Sequence, residues 1–171
     1  MELVILVDAS DQEVGTMEKI EAHQTGALHR AFSILLFNSK GQLLLQKRAK
    51  SKYHSGGLWS NTCCSHPRPG EPMQSAVRRQ LIHEMGIDLP TTYSHKFIYR
   101  SSLGAMTEYE LDHVYFGKFD GKPIINKEEV EDWKYMGTRE IRENMRKNPE
   151  LYSFWFKMIM EHQELEKPIV H

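Results

Sequence analysis

Glu71-Pro72-Met73-Gln74-Ser75-Ala76-Val77-Arg78-Arg79-Gln80-Leu81-Ile82-His83-Glu84-Met85-Gly86-Ile87 is the segment on which the fold turns. Met73, Val77 and Leu81 recur at helical spacing, with Met85 near the edge of the same stripe. Pro72 stands where a missing amide is harmless, and Gly86 stands where helices stop. The spacing predicts a helix from about Pro72 to Gly86. Glu84 falls seven residues after Val77 and so projects from nearly the apolar side. A carboxylate facing inward is costly unless a cation or hydrogen-bond donors receive it. Read alone, Glu84 has a simpler account, as an edge residue reaching water or Arg79.

Working outward, Leu3–Asp8 reads as a strand, turned at Ala9–Glu13 and followed by a second at Val14–Ile20. Ala31–Phe37 and Gln42–Lys47 are strands joined by the hairpin signal Asn38-Ser39-Lys40-Gly41. Leu58 to Pro69 reads as irregular, while Lys96–Ser101, Thr107–Phe119 and the short Trp133–Met136 read as strands. Thr138–Lys147 and Leu151–Glu164 read as helices separated by Asn148-Pro149. Strands mixed with three helices, without regular βαβ alternation, predict an α+β or layered α/β/α domain. With 171 residues and no repeat or linker, a single domain over 1–171 is expected.

Lys plus Arg number 22 against 23 Asp plus Glu, a formal net charge of −1, which offers no general field for a polyanion such as nucleic acid. The longest apolar run, Leu3 to Val7, is far short of a membrane span, and no secretory signal opens the chain. Cys63 and Cys64 are adjacent and poorly placed for a disulfide, which suits a reducing cytoplasm. The nine histidines are the one compositional hint of metal or proton chemistry.

Three further groups carry chemistry. In Trp59-Ser60-Asn61-Thr62-Cys63-Cys64-Ser65-His66-Pro67, an extended backbone would turn Cys64 and His66 to one side. The alternatives are core cysteines or a zinc site, the latter without CxxC spacing. In Glu108-Tyr109-Glu110-Leu111-Asp112, the three acids share one strand face that continues through Val114 and Phe116. Such a face is either a solvated edge or an inner surface with something positive among the carboxylates. His23 and His29, with His66, Glu108 and Glu110, make an N/O donor set suited to Mn²⁺, Zn²⁺ or Mg²⁺.

Glu71, seven intervening residues, Arg79, Leu81, Glu84, Gly86 and Ile87 together resemble the Nudix box, whose helix places glutamates on metal ions that bind a substrate diphosphate. Ser65 replaces its first glycine, and Gln80 and His83 replace two of three glutamates, leaving Glu84. One carboxylate suits one Mg²⁺ shared with a diphosphate better than multi-metal water activation. From about Val4 to about Trp155 the chain is similar to the type I isopentenyl-diphosphate isomerases. The resemblance rests on Trp59–Pro67, Glu108-Tyr109-Glu110, His23, His29 and Ser153-Phe154-Trp155.

The resemblance implies a Nudix-like mixed sheet flanked by helices, and a monomer or weak homodimer acting on a small diphosphate. It implies a metal site of His23, His29, His66, Glu108 and Glu110, and a catalytic pair of Cys64 and Glu110. Tyr99 would lie beside Glu110 and Trp155 would face the substrate's hydrocarbon, on a terminal helix that is a candidate lid. Lys19, Arg48, Lys52, Ser65 and Arg79 would hold the diphosphate, and Glu84 its Mg²⁺. The implied reaction is interconversion of isopentenyl and dimethylallyl diphosphate by protonation to a carbocation-like state and loss of a second proton. A Nudix-type diphosphate hydrolase is the alternative, and the missing glutamates weigh against it.

Overall fold

The computed structural model describes residues 1–161. Nine strands form one mixed sheet: β1 (Leu3–Val7), β2 (Glu13–Glu18), β3 (His29–Phe37), β4 (Gln42–Arg48), β5 (Trp59–Ser60), β6 (Cys63–Ser65), β7 (Thr92–Leu103), β8 (Met106–Lys118) and β9 (Val130–Gly137). Four helices accompany them: α1 (Lys19–Thr25), α2 (Met73–Met85), α3 (Thr138–Lys147) and α4 (Phe154–Glu161). β3 is the hub. It pairs antiparallel with β1, β4 and β6, and parallel with β8 over nine residues from His29↔Glu110 to Phe37↔Lys118. The β3–β6 register sets Ser33 opposite Cys64 and Ile34 opposite Cys63.

Alternation along the central strands sorts the core into two layers. Leu35, Leu43 and Leu45 pack with Ile141, Phe156 and Ile159 of α3 and α4. Phe32, Ile34, Leu36 and Leu44 pack with Val77, Leu81 and Met85 of α2. A sheet covered on both faces needs strands that are apolar throughout, which is why β3 and β4 are buried at almost every position. The same alternation separates the cysteines: Cys63 joins the α2 layer, and Cys64 packs against the α3/α4 layer. The α/β/α layering expected from sequence is therefore observed.

Several boundaries differ from expectation. The strand read to Ile20 stops at Glu18, whose side chain accepts a hydrogen bond from the Glu21 amide at 3.0 Å and starts α1, a helix the alternation of Val14–Ile20 concealed. Leu58–Pro69 contains the two short strands β5 and β6. β7 and β9 run longer than expected, because β7 pairs with β8 from Thr92↔Phe116 to Leu103↔Met106 and β9 pairs with β4 from Val130↔Arg48 to Gly137↔Gln42. The last helix begins only at Phe154, after a 3-10 turn at Pro149–Leu151. The expected end of that helix, 162–164, lies outside the described residues. Among the described residues no helix is long and apolar enough to cross a membrane.

α2 is positioned by its C-terminus. Gly86 adopts φ 63° and its N–H bonds the Ile82 carbonyl at 3.0 Å, closing the helix one turn after Leu81. A Cβ at Gly86 would lie 2.6 Å from the Ile124 carbonyl oxygen. Gly86→Ala is expected to destabilise the fold by about 1–3 kcal/mol through backbone strain, measured as a lowered urea midpoint with an unchanged slope.

Candidate active site

A cavity of about 270 Å³ opens at the end of the sheet where β3, β6 and β8 meet. Cys64, Ser65 and His66 enter it from β6 and the residue after it, Tyr99 from β7, Glu108 and Glu110 from β8, and Trp155 from α4. Lys19, Arg48, Lys52 and Arg79 line it with Glu84. Of the residues to which the resemblance gives a role in metal binding, catalysis or diphosphate binding, all but His23 and His29 line it. Both are fully buried behind Glu110.

Glu110 is the centre of the arrangement. Its Oε1 lies 3.0 Å from His66 Nε2, 3.3 Å from His29 Nε2 and 3.8 Å from His23 Nε2. The Tyr99 hydroxyl donates to its Oε2 at 2.6 Å. Burial raises a carboxyl's pKa, but contacts with His29 and His66 outweigh that and hold Glu110 well below the carboxylate range. Glu108, two residues along the same face, is driven well above its usual value by burial and by the Glu110 charge. Asp112 behaves likewise and is bonded by the Ser33 hydroxyl at 2.7 Å. This face is an inner surface, as Val114 beyond it confirms by being fully buried.

The residues fit a divalent cation. His23 Nδ1 donates to the Lys19 carbonyl at 2.7 Å and His29 Nδ1 to the Ala27 carbonyl at 2.8 Å. Those bonds fix the tautomers and leave each Nε2 with a lone pair. Both Nε2 atoms are buried without a hydrogen-bond partner among the described residues. Donor atoms of His23, His29, His66 and Glu110 all lie within 4.8 Å of one another, the convergence a single ion needs. Glu108 stands outside that tight group. It forms a second one with His23 and His54, and His54 was not foreseen from sequence. The available signal was an imidazole in Arg48–His54, a segment already assigned to anion binding.

Around the diphosphate candidates, Arg48 is 6% exposed, its Nε has no partner, and its guanidinium lies 4.9 Å from the Trp155 ring centroid and 3.9 Å from Cys64 Sγ. Lys52 pairs with Glu129, and Lys19 with Glu2 at 2.6 Å. Arg79 is engaged by both oxygens of Glu71, at 2.8 and 3.0 Å. Glu84 is buried and is not paired with Arg79. It accepts from Gln80 at 2.7 Å, Gln46 at 3.3 Å and the Cys63 thiol at 3.3 Å. Lys50, with a side chain 79% exposed, is outside the cavity. Trp155 is 3% exposed and donates to Asn61 Oδ1 at 3.1 Å, so α4 forms a packed wall of the cavity where a lid was expected. The Cys64 thiol is pushed well up by burial, with Arg48 opposing; at neutral pH it holds its proton.

The NUDIX domain family model matches residues 27–156. The chain is 52% identical to isopentenyl-diphosphate Delta-isomerase 2 of Aromatoleum aromaticum, over 92% of this chain and 84% of that protein. It is 47% identical to isopentenyl-diphosphate Delta-isomerase 2 of Photorhabdus laumondii, over 97% and 96% respectively. Among solved structures, a protein from Deinococcus radiodurans aligns over 92% of this chain and 97% of its own, with TM-score 0.77 and 18% identity, a likeness of fold.

Ligation needs neutral imidazoles, so protons compete with the cation. Burial holds His23 down at about 4, so His23 does not protonate until well into acid. Burial disfavours the charged form of His29 as well, but Glu110 outweighs it and its pKa ends raised. Below that raised value His29 binds a proton the cation must displace. Mn²⁺ affinity is therefore expected to fall roughly tenfold per pH unit once the pH drops below that raised value, one proton's worth, as read by isothermal titration calorimetry between pH 8 and 5.5. A flat profile would exclude His29 as a ligand.

Proposed function

The chain belongs to the NUDIX family and, within it, to the isopentenyl-diphosphate Delta-isomerases, and we propose that Cys64 and Glu110 are the acid–base pair with which it interconverts isopentenyl and dimethylallyl diphosphate. The observation that carries the assignment is their setting in one cavity, the thiol buried 3.9 Å from Arg48 and the carboxylate 3.0 and 3.3 Å from two imidazoles. Burial thus favours the protonated thiol, and the imidazoles favour the ionised carboxylate. An isolated alkene has no carbonyl to stabilise a carbanion, so the proton arrives first and the positive charge forms at the tertiary carbon. A second proton then leaves the neighbouring methylene, and its C–H electron pair becomes the new double bond. One partner must begin protonated and the other not, and each turnover exchanges those states. The exchanged pair is ready for the reverse reaction. Tyr99, 2.6 Å from Glu110 and 3.4 Å from Glu108, is the contact through which Glu110 can trade its proton.

A divalent ion held by His23, His29, His66, Glu110 and Glu108 (Mn²⁺, Mg²⁺ or Zn²⁺) would supply positive charge that favours the ionised carboxylates. Mg²⁺ on the substrate diphosphate would be met by Glu84, with Lys19, Arg48, Lys52, Ser65 and, more weakly, Arg79 on the phosphate oxygens. Trp155 offers a π-face to the cationic state, worth about 1–2 kcal/mol when desolvated. Its packing excludes water that would trap the cation as an alcohol. Gln80 bonded to Glu84, where a hydrolase would carry another carboxylate, argues against water activation. We further infer a single catalytic domain over 1–171. It would work in the cytoplasm as a monomer or weak homodimer without a nucleic-acid partner, in keeping with two free thiols and a net charge of −1.

Purified protein with Mg²⁺ is expected to equilibrate the two diphosphates without a redox cofactor, followed by the acid lability of the allylic product. Cys64→Ala and Glu110→Gln are each expected to lower kcat by about 10²–10⁴-fold or more, with unchanged circular dichroism. Substantial turnover in Cys64→Ala would remove the thiol from the reaction.

A further inference from the structure

His54 has no part in the reaction as so far described, yet its side chain is 6% exposed and sits among the functional groups. Its Nε2 lies 3.0 Å from Glu108 Oε1, and its ring is 5.5 Å from that of His23 and 5.9 Å from that of Trp155. Glu108 is the one expected ligand outside the four-donor group of His23, His29, His66 and Glu110. Among the described residues its Oε1 lies against His54 and its Oε2 lies 3.4 Å from the Tyr99 hydroxyl, with His23 within 4.8 Å. Tyr99 is already committed to Glu110 at 2.6 Å. Where Glu108 stands is thus decided chiefly by His54.

The backbone around His54 is unusually constrained. Ser55 takes φ 54°, a left-handed conformation uncommon for a residue with a side chain, and its Oγ lies 3.1 Å from His54 Nδ1. A Cβ on Gly56 would stand 2.7 Å from the Lys50 carbonyl oxygen. Arg48 binds the His54 carbonyl at 3.3 Å, and the Gly57 amide returns to the Arg48 carbonyl at 2.9 Å. The Tyr53 ring meets the His54 ring edge-on at 4.3 Å. Strain of this kind persists where the surroundings over-determine a geometry. Here it turns an imidazole inward from a segment whose Lys50 points to solvent.

We propose that His54 is a positioning residue that holds Glu108 beside the four-donor group, so that Glu108 completes the cation's shell as a fifth donor. The inference rests on the reading of His23, His29, His66 and Glu110 as cation ligands. It ties that shell to the loop bearing Arg48 and Lys52, so the two halves of the cavity, cation and diphosphate, share one rigid support.

The test is Mn²⁺ binding to resting protein, read from the electron paramagnetic resonance signal of the free ion, in wild type, His54→Phe, His54→Gln and His54→Asn. Phe keeps the ring contacts and removes Nε2. Gln offers a polar atom at similar reach, and Asn is one methylene too short. Affinity is expected to fall about 10–100-fold in His54→Phe and His54→Asn, and to be largely retained in His54→Gln. At saturating Mn²⁺ the KM for isopentenyl diphosphate is expected to stay near wild type in all three. The Asn and Gln pair carries the comparison should Phe disturb folding. Unchanged Mn²⁺ affinity in Phe and Asn overturns the proposal, as does equal loss in all three variants or a raised KM with unaltered Mn²⁺ binding. Failure of wild type to bind Mn²⁺ overturns the cation site itself, a distinct result visible before any variant is made.

Discussion

Keeping one carboxylate ionised inside a protein is the constraint around which this molecule is arranged. Glu110 is 6% exposed, and an isolated charge at that depth would take up a proton. Contacts with two imidazoles prevent it, His29 from the start of β3 and His66 just beyond β6, while His23 from α1 brings a third ring to 3.8 Å. Each depends on a different part of the fold. The parallel β3–β8 register sets His29 beside Glu110, the β3–β6 register brings the chain to His66, and the Glu18 cap turns α1 so that His23 faces inward. The backbone carbonyls of Lys19 and Ala27 then fix which ring nitrogen is presented.

Features set by short-range periodicity were legible in the sequence. The α2 stripe, the β3–β4 hairpin turn at Asn38–Gly41 and the shared face of Glu108, Glu110 and Asp112 all follow from sequence pattern, and the structure keeps them. Cys64 and Cys63 differ for the same reason, being neighbours on a strand between two core layers. Legibility failed where a few residues switch geometry under a local contact. α1 has only seven residues, too short for periodicity to announce it, so His23 read as a loop residue. His54 stands two residues beyond Lys52, next to a stretch whose Arg48 and Lys52 are assigned to the diphosphate, and nothing in its spacing marks it as inward-facing. What turns it inward is a left-handed Ser55 and a Gly56 with no room for a Cβ, and neither is visible in a hydropathy pattern.

Charge balance around Cys64 joins the two halves of the cavity. Arg48 lies 3.9 Å from the thiol and 4.9 Å from the Trp155 centroid, a fixed positive charge beside the place where a carbocation would form. Left uncompensated, that guanidinium would oppose the cationic state through like-charge repulsion in a low-dielectric site. Its Nε lacks a hydrogen-bond partner among the described residues, so it retains hydrogen-bonding capacity for an anion. A bound diphosphate would neutralise Arg48 and remove the repulsion, leaving the π-face of Trp155 free to attract the developing charge. On the proposed reading, substrate binding and the chemical step would be linked through one residue: the group that would recognise the phosphate end is the group whose neutralisation would make the hydrocarbon end tolerant of positive charge.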